Sequence, residues 1–202
     1  MDKIYECAAK FVALENYTYR FVVSQNRQSK ELLLNFCDTD FFHLAGLHYL
    51  KDISLPQNRR ETLKNIIEKK IITDQLLCNS RFYTHPKPDK DIYSRIDELR
   101  FLEEYLDTNN IIHIYNTIND KYLRSFIKAD YLIESQFKGS KNIVYIFLKQ
   151  RNDNPSYLCI SSFFKKNNLS YSGDKLYWLL KEKISHNKHT ILYCHPNYKP
   201  AT

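Results

Sequence analysis

Phe41-Phe42-His43-Leu44-Ala45-Gly46-Leu47-His48-Tyr49-Leu50 is the stretch of the chain on which the interpretation of its fold depends. Apolar side chains lie on every side of a helical wheel there, which predicts a helix that is buried nearly all round. A glycine inside such a helix costs roughly 1 kcal/mol relative to alanine, so we expect a neighbour to approach closely at Gly46. Histidine ring nitrogens need hydrogen-bond partners once water is excluded. His43 and His48 are therefore either satisfied structural side chains or parts of a functional site.

The two histidines are five residues apart, which is roughly 140° around an undistorted helix with 3.6 residues per turn. Side chains separated by that angle do not easily converge on one small site. We therefore expect at most one of His43 and His48 to face a cleft, and the other to be structural.

The chain before residue 108 has the period of helices, interrupted by one β-hairpin. Apolar residues at helical spacing predict an amphipathic helix over residues 2–15. Alternating residues on either side of a polar turn predict the hairpin over 17–37. Further helices are predicted over 58–71, 73–79 and 91–107.

After residue 107 the apolar period changes from 3.6 to 2, which is typical of strands. Strands are predicted over 111–115, 125–133, 142–150, 156–164 and 190–194, with a helix over 174–184. Because helices come mostly first and strands mostly later, we predict an α+β fold. In this fold the N-terminal helices and the hairpin precede an antiparallel β-sheet, and residues 1–202 form a single domain.

The composition argues against several classes of protein. Nothing approaches the ~18 consecutive apolar residues of a membrane span, and the polar first residues are unlike a signal peptide, so no membrane association is expected. With three glycines and no HExxH, GxSxG or clustered carboxylates, phosphate-cradling loops and metal-dependent nuclease chemistry are disfavoured. The cysteines have no metal-binding spacing and are interpreted as reduced core thiols of a cytoplasmic protein: Cys7, Cys37, Cys78, Cys159 and Cys194.

Basic charge is concentrated in the C-terminal part of the chain. After residue 120 there are fourteen Lys and Arg against five Asp and Glu, within a net charge of +7. Such an asymmetry suggests that a polyanion, most plausibly nucleic acid, meets this part of the molecule. The alternative is a basic surface that only keeps the protein soluble.

A predicted strand in this basic part has the residue types of an RNA-binding surface. Alternation places Arg124, Phe126 and Lys128 on one face of it, where cations can contact phosphates and an aromatic ring can stack on a base. The alternative is a solvated strand face. On a later strand, the hydroxyls of Ser161 and Ser162 could donate to a phosphate oxygen or bond a neighbouring strand.

Taken together, the early β-hairpin and the four segments that follow it resemble a phage- and mobile-element-associated branch of the barnase–EndoU–colicin–RelE-like nucleases (the BECR fold). The most specific is the F-x-H-L-x-G-L core within residues 40–47, and the A-D-Y segment within 127–132 supports it. The aromatic and aliphatic strand 144–148 and residues 160–164 follow in the same order. The similarity spans about residues 5–184.

The resemblance implies an RNase/RelE-like fold and a toxin-like, metal-independent ribonuclease in which the ribose 2′-hydroxyl attacks the adjacent phosphate. By the same resemblance His43 would be the acid/base, Lys128 the phosphate-stabilising cation and Ser162 a phosphate-binding hydroxyl. Arg124, Phe126 and Ser161 would contact the nucleic acid.

The partners that the resemblance implies are RNA and a cognate antitoxin or immunity protein, with no cofactor and no bound metal. Two alternatives stay open. One is a non-catalytic nucleic-acid-binding domain on the same scaffold, and the other is a protein-interaction domain of a phage or mobile element.

Overall fold

The fold was analysed in a computed structural model, which describes residues 2–26, 28–115, 127–166, 171, 173–186 and 188–199. Its helices are α1 (Lys3–Leu14), α2 (Asp38–Leu44), α3 (Arg59–Ile67), α4 (Asp74–Cys78), α5 (Ile92–Leu99) and α6 (Leu102–Asp107), with a 3-10 turn at Leu47–Tyr49. Its strands are β1 (Thr18–Gln25), β2 (Gln28–Leu34), β3 (Ile111–Ile114), β4 (Tyr131–Ser135), β5 (Val144–Gln150), β6 (Leu158–Lys165), β7 (Lys175–Ser185) and β8 (Lys188–Cys194). Within these ranges, no helix is long and apolar enough to cross a membrane.

The α+β class and the N-terminal position of the helices and the hairpin agree with the sequence-based prediction, but the sheet is not an open antiparallel one. Its strand order is β1-β2-β6-β5-β4-β3-β7-β8, and an additional pairing of β1 with β7 closes seven of these strands into a barrel. One pairing is parallel, between Leu34 of β2 and Leu158 of β6. The barrel closes because β7 is long enough to pair with β3 near its start and with β1 along the rest.

The helix predicted over 174–184 is therefore wrong, since this segment is strand β7. Two features hide its period of two. Leu179 has no partner opposite β1, so the bulge there changes which residues face inward. After the bulge, Lys181 and Lys183 lie opposite the core residues Phe21 and Tyr19, and both lysines are buried. Buried lysines among leucines produce a helix-like pattern in the sequence.

Two further predicted helices are divided in the structure. The segment 91–107 forms α5 and α6, and the turn at Arg100 and Phe101 separates them. The segment 41–50 contains the end of α2, which stops at Leu44, and the separate 3-10 turn Leu47–Tyr49. The thiols of Cys78 and Cys194 are exposed, so the expectation of core cysteines holds for Cys7 and Cys159 but not for these two.

The core divides into two clusters on opposite faces of strands β4 to β6. The larger one joins the helices to the inward faces of the strands and contains residues such as Phe11, Phe41 and Ile146. The smaller one is aromatic and lies on the other face: Tyr115, Leu132, Tyr145, Phe147, Phe164 and Tyr171. Helix α2 lies against β6 and α3, which places the end of α2 beside the sheet.

Candidate active site

The start of helix α2 is held in place by a buried arginine. Arg151 is only 7% exposed, forms an ion pair with Asp40 in the first turn of α2, and donates to the carbonyl of Asn35 at 3.1 Å. The Asp40 carboxylate also accepts from the backbone N–H of Cys37 at 3.1 Å. A buried charge that is paired and hydrogen-bonded in this way is expensive to displace. The helix that carries His43 is therefore rigidly joined to the end of β5.

The chain turns sharply at Gly46, immediately after α2. Gly46 has φ +77°, in the left-handed region, and its N–H donates to the carbonyl of His43 at 3.0 Å. A Cβ atom at this position would lie 2.9 Å from Cδ of Arg95, which confirms the expectation of a close neighbour. Only glycine adopts this conformation without steric cost.

This turn brings the two histidines together. The ring centroids of His43 and His48 are 4.5 Å apart, and the ring planes differ by 17°. The expectation that the two side chains could not converge is wrong, because it assumed an unbroken helix from residue 41 to 50. Since α2 ends at Leu44 and the chain reverses at Gly46, the 140° separation does not apply.

The ring of His43 is held by a backbone carbonyl of the sheet. Its Nε2 lies 3.1 Å from the carbonyl oxygen of Ser161. In the pairing of β5 with β6, Phe147 faces Ser162 and Leu148 faces Ile160, so Ser161 is a bulge residue with no partner across the ladder. Because a carbonyl oxygen only accepts, this bond requires the proton of neutral His43 on Nε2. The lone pair of the ring is then on Nδ1.

A buried arginine lies beside the two histidines without a carboxylate partner. Arg95 is 2% exposed, and its guanidinium donates to the carbonyls of Leu44 and Asp89, each at 3.1 Å. In the part of the chain that the structure describes, it forms no ion pair, although the charges of Asp89 and Asp91 act on it from further away. Burial lowers the pKa of Arg95 to about 10. The group thus stays charged at neutral pH with no anion in contact.

Positive charge and partial burial keep both histidines neutral. Burial, followed by the charge of Arg95 and then those of Arg59 and Lys149, lowers the pKa of His43 below its ordinary value of 6.5, although its side chain reaches the surface. For His48, burial, the charge of His43 and the charges of Arg95 and Arg59 lower the pKa to about 4. Near pH 7 the site therefore has two uncharged imidazoles in a positive potential.

Contacts between aromatic rings and the guanidinium of Arg95 connect the histidine pair to the sheet. The ring of His48 lies 3.9 Å from that of Tyr49, measured between centroids. The guanidinium of Arg95 lies 5.7 Å from the Tyr49 ring and 5.8 Å from the ring of Phe164, which belongs to the aromatic cluster on the outer sheet face. The histidines are thus next to the face of the sheet on which Ser162 and Phe147 also lie.

The residues predicted from the sequence are only partly brought together. Ser161 contacts His43 through its carbonyl, while its hydroxyl donates to the carbonyl of Phe147 at 3.3 Å. Ser162 is buried in the adjacent position of β6. Lys128 is exposed and precedes β4, and across the described ranges no contact joins it to His43.

Two other predicted residues, Arg124 and Phe126, lie outside the described residues. The predicted strand 125–133 corresponds to β4 only from Tyr131 onward.

Sequence reasoning missed Arg95, Arg59 and Lys149, and assigned His48 no role. A signal for Arg95 was present, because it lies on the apolar stripe of α5 between Ile92 and Ile96, where a charged residue is unusual. Arg59 and Lys149 had no such signal. Of the groups that the structure describes, no set of three His, Cys, Asp or Glu side chains could hold a metal ion.

The family model described as phage-Barnase-EndoU-ColicinE5/D-RelE like nuclease 4 (PBECR4) matches residues 3–195 of the chain. No curated protein and no solved structure matches the chain.

Proposed function

The chain belongs to this family of phage-associated nucleases, and from that premise we propose that it is a metal-independent ribonuclease. The observation that carries the proposal is the stacked pair His43 and His48 beside Arg95, a buried cation that no carboxylate contacts in the part of the chain that the structure describes. The substrate would be RNA because the chemistry available to a histidine and a cation is attack by the ribose 2′-hydroxyl on the adjacent phosphate. The new bond joins the 2′-oxygen to phosphorus and the bond to the 5′-oxygen breaks, so the reaction leaves a cyclic phosphate and, once the 5′-oxygen has taken a proton from water, a 5′-hydroxyl end.

His43 is the general base of the proposed mechanism. Its bond to the Ser161 carbonyl places the proton on Nε2 and leaves the Nδ1 lone pair to accept the proton of the 2′-hydroxyl. Its lowered pKa keeps the ring unprotonated at neutral pH, as a base must be.

The cations around His43 support the binding of a phosphate. Arg95, Arg59 and Lys149 all act on the histidine ring, so negative charge that develops on the phosphate next to it would be stabilised. The same positive charge would repel a metal ion, which supports a mechanism without one. Lys128 and Ser162 remain predicted phosphate contacts, and Arg124, Phe126 and Ser161 remain predicted contacts to the rest of the RNA.

A toxin-like role in the cytoplasm, with a cognate antitoxin or immunity protein as partner, is the biological setting that we propose for this activity. The basic surplus after residue 120 supports a polyanionic substrate.

The proposal is tested by incubating the purified protein with an oligoribonucleotide in EDTA and identifying the product ends. We expect cyclic phosphate and 5′-hydroxyl termini, and no cleavage of the same oligonucleotide made with 2′-deoxyribose. His43→Ala should reduce the cleavage rate by about 10²–10⁴-fold, the usual contribution of a general base. The matched control is His113→Ala, because His113 is half-buried in β3 and its Nδ1 also lies near a carbonyl, that of Gly173, at 3.2 Å.

Equal losses in His43→Ala and His113→Ala would contradict the proposed base. Salt-dependent RNA binding by the wild type without any product would instead favour the non-catalytic nucleic-acid-binding alternative.

A further inference from the structure

We infer that His48 is a second catalytic residue of this site, and that its Nε2–H donates a hydrogen bond to the phosphate group while Nδ1 of His43 accepts the proton of the attacking hydroxyl. The inference rests on the proposed function and adds to it a division of roles between the two rings.

The burial of one ring nitrogen determines where the proton of His48 lies. Nδ1 of His48 is buried and has no hydrogen-bond partner among the described residues, whereas Nε2 is not enclosed. A proton on Nδ1 would be a buried donor without an acceptor, which is among the rarest and most costly arrangements in folded proteins. The neutral ring therefore has its proton on Nε2, the nitrogen that can reach a ligand.

The surrounding charges keep His48 in this neutral form. Burial and the charges of Arg95 and Arg59 act against protonation of the ring at neutral pH, and the charge of His43 adds to them once that ring is protonated. A neutral imidazole still donates one hydrogen bond, and the positive charges around the ring attract the anionic group that would accept it. His48 thus acts as a hydrogen-bond donor to developing negative charge rather than as a source of a proton.

The two stacked rings offer complementary atoms. His43 offers a lone pair at Nδ1, since its Nε2–H is used by the Ser161 carbonyl, and His48 offers an N–H. Their centroids are 4.5 Å apart, so one nucleotide can be contacted by both. Two separate elements determine this complementarity: the bulge at Ser161, which supplies the carbonyl, and the turn at Gly46, which places His48 on His43.

Three substitutions of His48 distinguish the contribution of the Nε2–H to cleavage from the contribution of the ring's packing. In His48→Gln the side-chain amide can place an N–H near the position of Nε2, and in His48→Asn it reaches only the position of Nδ1. We expect His48→Gln to cleave the oligoribonucleotide within about tenfold of the wild-type rate. His48→Asn and His48→Ala should be slower by about 10²–10³-fold, as when a donor to transition-state charge is removed.

Nitrogen NMR of the ring atoms at pH 7 gives a second measurement that does not depend on turnover. Nε2 should be protonated and Nδ1 unprotonated in both His43 and His48, and adding a 3′-nucleoside monophosphate should shift the His48 Nε2 signal but not those of His113. Equal rates for His48→Gln and His48→Asn, or a proton on Nδ1 of His48, would overturn the inference and leave the proposed function standing. Absence of cleavage by the wild type would overturn the proposed function itself.

Discussion

Buried cations occur in two clusters of this protein, and the surroundings of the cations differ between the clusters. The α6 cluster consists of Lys181 and Lys183 of β7 with Glu103 and Asp107 of α6. Lys183 forms ion pairs with both carboxylates, and Lys181 donates to the carbonyls of Leu106 and Thr108, at 2.8 Å and 2.6 Å. The histidine cluster consists of His43, His48 and Arg95, where the guanidinium contacts backbone carbonyls and no carboxylate among the described residues.

The difference separates a structural use of buried charge from the catalytic use that we propose for Arg95. In the α6 cluster, carboxylates and the carbonyls at the end of α6 offset the cost of removing the ammonium groups from water, so the charges join the helix to the barrel. In the histidine cluster no carboxylate among the described residues contacts the guanidinium of Arg95, and its positive charge lowers the pKa of the two imidazoles. A buried cation without a counter-ion, next to titratable rings, is therefore the better indicator of a site.

Of the substitutions that compare the two clusters, the one that removes the charge of Arg95 has the largest expected effect on cleavage. Arg95→Met should reduce RNA cleavage by about 100-fold, since the cation next to the phosphate is lost. It should also raise the pKa of both histidines, because the charge of Arg95 is among the causes that lower them. The acid limb of the rate profile, which reports protonation of the base, would then move to higher pH. The measurements are the pH dependence of the cleavage rate and the NMR titration of the rings.

Lys183→Met is the matched control from the α6 cluster. It should lower the free energy of unfolding by about 2 kcal/mol, because Glu103 and Asp107 lose their partner, and leave the rate per folded molecule unchanged. If the two substitutions reduced cleavage equally at the same folded fraction, the distinction between the two clusters would fail.

A smaller effect is expected from the turn that assembles the histidine cluster. Gly46→Ala should lower the free energy of unfolding by about 1–2 kcal/mol for the left-handed conformation alone, and should slow cleavage because the new Cβ displaces Arg95. Gly46→Asn tolerates the left-handed conformation better but has the same Cβ. Chemical denaturation should thus show a smaller loss of stability for Asn, with a comparable loss of activity. Full activity in Gly46→Asn would show that the contact with Arg95 does not matter.

The last effect concerns stability alone, with no change in the cleavage rate, and tests the α6 cluster through the pH dependence of the free energy of unfolding. Burial lowers the pKa of Lys181 to about 8 in the folded protein, from 10.5 for an ordinary lysine. Between these values the unfolded chain binds more protons, so the contribution of Lys181 to the free energy of unfolding rises with pH from 8 to 10.5. The expected rise is at most about 3 kcal/mol.

The measurement is denaturant unfolding of wild type and Lys181→Met at pH 7 and pH 10. From pH 7 to pH 10 the free energy of unfolding of the wild type should rise relative to that of Lys181→Met. A constant difference would mean that Lys181 titrates in the folded protein as it does in water.

Local patterns predicted a good part of the fold. The apolar spacing of α1 and the alternation of β1 around its polar turn are properties of adjacent residues, and both elements occur where they were predicted. The predicted helix 73–79 occurs as α4, and its N-terminus is capped locally by Thr73, whose hydroxyl accepts from the N–H of Leu76. The same rules failed for β7, where burial depends on distant partners, because Lys181 and Lys183 bond to groups of α6 that are more than 70 residues away in the chain.

The sequence pointed to a histidine of the candidate site, but it did not predict which residues pack around that histidine. His43 stood out because a polar ring occurs within an apolar run, and that reasoning needs only neighbouring residues. Arg95 is 52 positions further along the chain, and its approach to Gly46 depends on how α5 packs against the end of α2. Nothing local reveals such a contact.

By itself, then, the sequence determined the α+β composition, the basic C-terminal part and the importance of residues 41–50, because helix and strand periods, charge and glycine cost are local quantities. The tertiary structure alone decided that β7 closes a barrel, that Ser161 presents a carbonyl to His43, and that a left-handed turn stacks His48 on it. Those outcomes depend on strand register and on packing between distant segments, where one bulge or one glycine changes which side chains meet.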